Sequence, residues 1–262
     1  MNGRIRLQSG GKAHPIAKKI TKKFDTKKYK DNVNHISLTK DIITTTLEHC
    51  RRPYIAWSGG KDSEIVRHIT HSIDPSIQMI HSDDEIYDPD TIAWLEINQS
   101  IYGDLLKFVA GSGSTHAGWH RPWTWEPYWR PWPSYLEESP TYEGKPSPLT
   151  RSASSMGYDG MLVGTRGAES RERARIAKEY GAVIGGPGAV KVNPIIHWTD
   201  EQVWDYIDEE MLPVCAAYDI LSDEIEPLRR VGPMVLRPRA VMEKHWPDDL
   251  ARAEERYKRT WF

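Results

Sequence analysis

Tyr54-Ile55-Ala56-Trp57-Ser58-Gly59-Gly60-Lys61-Asp62-Ser63 carries the fold: a short apolar run opened by Pro53 ends in two glycines, and Ile65, Val66 and Ile69 beyond take up helical spacing. A run of that length bounded by turn residues reads as a buried strand, so the unit is strand, glycine loop, helix. Two glycines let the backbone curl until successive N–H groups point at one spot. The following helix adds its positive end, which makes an anion site suited to phosphates. Lys61 supplies a compact charge for the same phosphates, and the Ser58 and Ser63 hydroxyls supply further donors. Asp62 is the odd member. A carboxylate beside phosphates repels them unless a cation lies between or it caps the helix, so Asp62 is assigned to Mg²⁺ or to shaping the loop. The GxxxxGK[ST] spacing of a Walker loop is absent. The letters SGGK recur at Ser9-Gly10-Gly11-Lys12, where no buried strand precedes them, and that copy is read as coincidence.

From Ile36 onward helices and strands alternate, the pattern of a doubly wound, Rossmann-like parallel sheet with helices on both faces. Leu38, Ile42, Ile43 and Leu47 predict a helix after Ser37 as N-cap. Ile77 to Ser82 predicts a strand, and Thr91 to Leu106 a helix with Ile92, Leu95 and Ile101 inward. Ser152 to Met156 predicts a short helix, Met161 to Gly164 a buried strand, Ser170 to Glu179 a charged helix, and Asp248 to Arg259 a helical tail. The expected division is a basic extension over 1–36, a nucleotide-binding α/β domain over 37–219 with an insert at about 111–148, and a C-terminal tail over 220–262.

The chain of 262 residues is long enough for one substantial domain with its own core. No apolar run approaches the roughly 18 to 20 residues of a membrane span, and the N-terminus lacks the apolar segment of a secretory signal. Two cysteines, Cys50 and Cys215, cannot build a disulfide framework, and a reducing cytoplasm is the expected setting. The net charge of −2 hides a polarity: residues 1–36 carry +8 and residues 37–262 carry −10. The basic stretch from Lys18 to Lys30 reads either as an arm for nucleic acid or an acidic protein partner, or as a solvated extension docking on its own body or a neighbouring subunit.

SGGKDS after a strand resembles the pyrophosphate loop of the PP-loop adenine-nucleotide α-hydrolases. Three further stretches, in order, narrow the resemblance to the branch containing phosphoadenylyl-sulfate (PAPS) reductases and the small subunit of ATP sulfurylase. They are His81-Ser82-Asp83 with Tyr87 and Pro89-Asp90-Thr91; Gly164-Thr165-Arg166-Gly167-Ala168-Glu169-Ser170-Arg171-Glu172-Arg173, similar to a GxRxxESxxR block; and Asn193-Pro194-Ile195-Ile196-His197-Trp198-Thr199 with the helix behind it through Tyr218-Asp219. The resemblance implies ATP, or PAPS or APS, as the nucleotide, with Mg²⁺. Strand ends of such a sheet converge on one crevice, so Ser58 to Ser63, Ser82, Asp83, Gly164 and Arg166 are expected to line a single site. Asp62 and Asp83 are the expected metal ligands; Lys61, Asp62 and Arg166 are the expected catalytic residues. Arg171 and Arg173 either fork onto phosphate or sulfate oxygens or pair with Glu169 and Glu172 on an exposed helix face.

A sulfonucleotide reductase needs a thiolate, which in this family sits on a C-terminal tail, and no cysteine follows Cys215 here. Cys50 is expected at the wrong end of the first strand, and Cys215 as a packing residue behind the site. No CxxC spacing supports zinc or an iron–sulfur cluster. His68 and His71 read as solvated helix histidines, and Trp198 and Trp204 as core. Chemistry at the ATP α-phosphate, by adenylyl transfer or pyrophosphate release, is therefore the leading expectation, with the acceptor unnamed. A reductase using Cys215 or an external thiol, and a non-catalytic nucleotide-binding partner in nucleic-acid modification, are the alternatives. Five of the eleven tryptophans fall within residues 119–135, interleaved with Pro122, Pro127, Pro131 and Pro133. That insert is either an acceptor-binding lid or a proline-braced loop or homodimer contact.

Overall fold

The structure, a computed structural model, describes residues 16–17, 20, 34–83, 87–110, 148–184, 190–224 and 239–251. Most of the basic arm, the Ser9–Lys12 copy, nearly all of the tryptophan-rich insert and the tail beyond residue 251 lie outside the described residues. In chain order the elements are α1 (His35–His49), β1 (Pro53–Ala56), α2 (Lys61–Ile73), β2 (Gln78–Asp83), α3 (Pro89–Tyr102), β3 (Leu106–Ala110), α4 (Pro148–Ser155), β4 (Gly160–Val163), α5 (Arg171–Tyr180), β5 (Val183–Ile184), β6 (Val190–Val192), α6 (Asp200–Glu209), α7 (Ala217–Ile220) and α8 (Arg239–His245). The strands form one sheet in the order β3-β2-β1-β4-β6-β5, parallel throughout except for the antiparallel β5 at its edge. Ile55 lies between Met79 of β2 and Leu162 of β4. The chain leaves β1 toward β2 and β3, then returns to place β4 on β1's other side. That reversal opens a crevice at the carboxyl ends of β1 and β4.

Alternation along the strands divides the apolar residues between two faces. Ile55, Met79 and Leu162 join the larger core with α1, α2, α3 and α6, while Tyr54, Ile80 and Met161 form a second cluster with Ala153 of α4 and Tyr158. Ala17 and Ile20 are buried in the larger core, and so are Val241, Met242, Trp246 and Leu250. At these positions the expected extension and tail are parts of the body. Trp246 donates its indole N–H to Asp90 in the first turn of α3 (2.8 Å).

Several local expectations are corrected. The first helix starts one turn early, because Asn34 rather than Ser37 is the N-cap, accepting from the Ile36 and Ser37 amides. α3 stops at Tyr102 because Gly103 takes φ 51°, a conformation open to glycine. Leu106 therefore opens β3, a strand that the expected helix had absorbed. Ile101 points outward at 66% exposure, whereas Ile92 and Leu95 are buried as expected. The short strands β5, at the sheet edge, and β6 beside it are too short to announce themselves. His68 and His71 are half-buried and bonded rather than freely solvated: His68 Nδ1 meets the Tyr206 hydroxyl at 3.0 Å, and His71 Nε2 meets the Ile77 carbonyl at 2.9 Å.

Candidate active site

The loop between β1 and α2 is held from three sides. Gly59 takes φ 80°, and its carbonyl accepts from the Trp94 indole at 2.9 Å. Ser63 Oγ lies 3.1 Å from Ser58 Oγ, accepts from the Ser58 amide and donates to the Gly60 carbonyl at 2.8 Å, which closes the turn on itself. From across the crevice, the backbone at Gly164 comes so close that a Cβ there would lie 2.6 Å from the Asp62 carbonyl carbon. The two glycine-rich strand ends thus touch backbone to backbone, which only a residue without a side chain permits.

Around this contact is a cavity of about 490 Å³ whose lining includes Ser58, Gly60, Lys61, Asp62, Ser63, Gly164, Thr165, Arg166, Glu169, Arg173, Asp200 and Tyr218. Lys61 Nζ lies 3.3 Å from Asp62 Oδ2 and over the rings of Trp204 and Tyr218, at 5.7 and 5.5 Å from their centroids. The Tyr218 hydroxyl accepts from the Lys61 amide at 3.0 Å. Arg166 is 1% exposed; its Nε donates to Asp62 Oδ1 at 2.5 Å and its Nη2 to Asp200 Oδ1 at 2.6 Å. Among the described residues its Nη1 is buried with no hydrogen-bond partner. Burial alone favours the neutral guanidine, but Asp62 and Asp200 outweigh it and hold Arg166 above its ordinary value. Glu169 accepts from the Arg166 amide at 2.8 Å and pairs with Arg173.

Of the expected site residues, the structure gathers Ser58, Gly60, Lys61, Asp62, Ser63, Gly164, Arg166 and Arg173 at the cavity. Gly59 shapes the loop from behind. Arg171 is exposed and Ser82 half-buried, and neither lines the cavity. Asp83 ends β2, and its side chain lies outside the described residues. One oxygen of Asp62 faces Lys61 and the other Arg166, so a Mg²⁺ bound there would share a carboxylate already paired with two cations. Asp200 lines the cavity although no motif pointed to it, and Tyr218, quoted only as part of the helix behind the site, lines it too; Trp204 is partly buried against the core and faces Lys61.

Neither cysteine reaches the cavity. Burial, with Asp159 nearby, pushes the Cys50 thiol up to about 12, and Cys50 packs against Gly160 at the start of β4. Burial likewise pushes Cys215 up to about 12, and its sulfur sits 3.9 Å from Thr91 Oγ1 and 3.6 Å from the Asp90 carbonyl.

The loop rests on a buried histidine. His81 Nδ1 lies 3.1 Å from the Trp57 carbonyl and so carries the proton, while Nε2 faces the Tyr87 hydroxyl at 3.1 Å. Burial lowers His81 from 6.5 to about 4, the Trp57 carbonyl pulling weakly the other way. Its contribution to stability is whole above pH 6.5 and is lost as pH falls toward 4, on the order of 3 kcal/mol in all. Urea unfolding across that window should show the loss in the wild type and a flatter profile in His81→Gln.

The sequence pattern of the phosphoadenosine phosphosulfate reductase domain matches residues 52–232, most of the chain. The chain belongs to that family. Its sheet is the doubly wound one expected for that family. Among its relatives is sulfate adenylyltransferase subunit 2 of Bradyrhizobium sp., 23% identical over 203 residues that make up 68% of this chain and 59% of that protein. The chain therefore spans well under two thirds of that relative. The same-named protein of Trichlorobacter lovleyi is 23% identical over 221 residues, 74% of this chain and 69% of its own length. A solved phosphoadenylyl-sulfate reductase from Candida auris, in a phosphate complex, shares the fold with a TM-score of 0.54 and 17% identity, covering 79% of this chain and 91% of that one. Among the described residues, no helix is long and apolar enough to cross a membrane.

Proposed function

We propose that this PAPS reductase-family enzyme binds ATP in the cavity and directs attack of an acceptor oxygen on its α-phosphorus. A new phosphorus–oxygen bond forms, the bond to the bridging oxygen of the β-phosphate breaks, and pyrophosphate leaves with the electron pair. The observation that carries this reading is a cavity lined by the glycine loop, Lys61, Arg166 and Arg173 while both cysteines are buried away from it. Backbone N–H groups and fixed cations neutralise charge developing on a leaving pyrophosphate. Magnesium enters this scheme as part of the MgATP substrate. The names of the relatives favour sulfate as the acceptor and a second, larger subunit as the partner.

The reductase alternative through Cys215 requires a thiolate, and burial works against one there. Thiol titration should find neither cysteine reactive in the native protein and both reactive in denaturant. The deciding assay follows pyrophosphate release from MgATP with an acceptor panel led by sulfate, in wild type and Cys215→Ser. Release in both at similar rates is expected. No release with any acceptor, together with thiol-dependent reduction of PAPS, would overturn the proposal.

A further inference from the structure

Arg166 presents three nitrogens to its surroundings, and they are unequally satisfied. Nε is fixed to Asp62, at the start of α2; Nη2 is held by Asp200; Nη1 is buried and, among the described residues, without a partner. The edge formed by Nη1 and Nη2 is the one that receives two oxygens of a phosphate or carboxylate side by side. Here half of that edge is occupied and half is orphaned, although a buried unpaired donor is costly. The two carboxylates also differ. Asp62 is 17% exposed and gripped by Lys61 as well, whereas the Asp200 side chain is 51% exposed, sits on the first residue of α6 and, among the described residues, is recorded pairing with Arg166 alone.

We infer that Asp200 is an exchangeable counter-ion: a phosphate oxygen of the incoming nucleotide displaces it from Arg166 and satisfies Nη1 and Nη2 together. Asp200 is thereby a competitor of the substrate and sets the affinity of the site, keeping the guanidinium neutralised when the cavity holds nothing. Asp62 stays in place as the permanent partner that orients the guanidinium. The inference rests on the reading of this cavity as the phosphate site.

The sign of one substitution tests it. If Asp200 merely props Arg166 in position, Asp200→Asn weakens binding. If Asp200 competes, Asp200→Asn tightens binding of both MgATP and inorganic pyrophosphate by roughly three- to tenfold, the scale of one partly exposed ion pair. Asp200→Glu, which keeps the competing charge, should stay within about twofold of wild type on the same scale. Calorimetric titration of wild type, both variants and Lys61→Ala supplies the comparison, with urea midpoints confirming that each is folded; Asp200→Ser replaces Asp200→Asn if that variant does not fold. Unchanged or weaker binding in Asp200→Asn, with Lys61→Ala abolishing binding, overturns the counter-ion role and leaves the phosphate site standing. Absence of binding in the wild type itself overturns both.

Discussion

Gly164→Ala is expected to lose about 4 kcal/mol or more of stability, the range in which single substitutions point to a specific steric cause, and to abolish nucleotide binding. The new methyl carbon would meet the Asp62 carbonyl carbon at 2.6 Å, the Asp62 oxygen at 2.7 Å and the Ser63 amide nitrogen at 2.7 Å. All three are backbone atoms, so no rotamer change relieves the contact. Relief requires the end of β4 to part from the start of α2, which would pull apart the two sides of the cavity. Contrast Gly160, where an added Cβ would meet the Cys50 side chain at 2.5 Å. There a side chain rather than main chain must give, so Gly160→Ala should cost less. Equilibrium unfolding of the two variants side by side checks the ordering; equal stabilities would mean that the strand ends are not in contact.

Lys61→Met is expected to lower kcat/KM for pyrophosphate release about 100- to 1000-fold, as removal of one preorganised charge-stabilising donor does elsewhere. The variant should fold, because methionine keeps the apolar stem against Trp204 and Tyr218 while Asp62 retains Arg166. Lys61→Arg should not restore activity. The Lys61 side chain is 6% exposed, its ammonium between Asp62 and two ring faces, a place shaped for a compact charge rather than a planar fork. Rates within tenfold of wild type for Lys61→Met would remove Lys61 from the chemistry.

The parts of this fold legible in the sequence are those fixed by local pattern. The apolar runs before Ser58 and Gly164 and around Met79 are short and bounded by turn residues, and β1, β2 and β4 lie where those runs fall. β3 was hidden because Leu106 continues the apolar spacing of α3, and only the backbone of Gly103 separates helix from strand. The loop residues of the site were legible for the same local reason. Asp200 and Tyr218 were not, since their meaning lies in pairings across long separations: Asp200 with Arg166, and the Tyr218 hydroxyl with the Lys61 amide 157 residues away. The role of Asp62 was open between cation, cap and loop; its two oxygens, divided between Lys61 and Arg166, make it a brace between two strand ends.

The bond from Trp246 to Asp90 spans 156 residues, and its consequence is one of time. At a synthesis rate of about 5–20 residues per second, the first turn of α3 waits roughly 8 to 30 seconds before Trp246 exists to bond it and Val241 and Met242 exist to join the core. Through that interval the first half of the sheet has its strands but not its last covering layer, leaving apolar surface open to chaperones or to a neighbouring nascent chain. Closure of this core therefore waits on residues that follow the β1–α2 loop at a long distance along the chain.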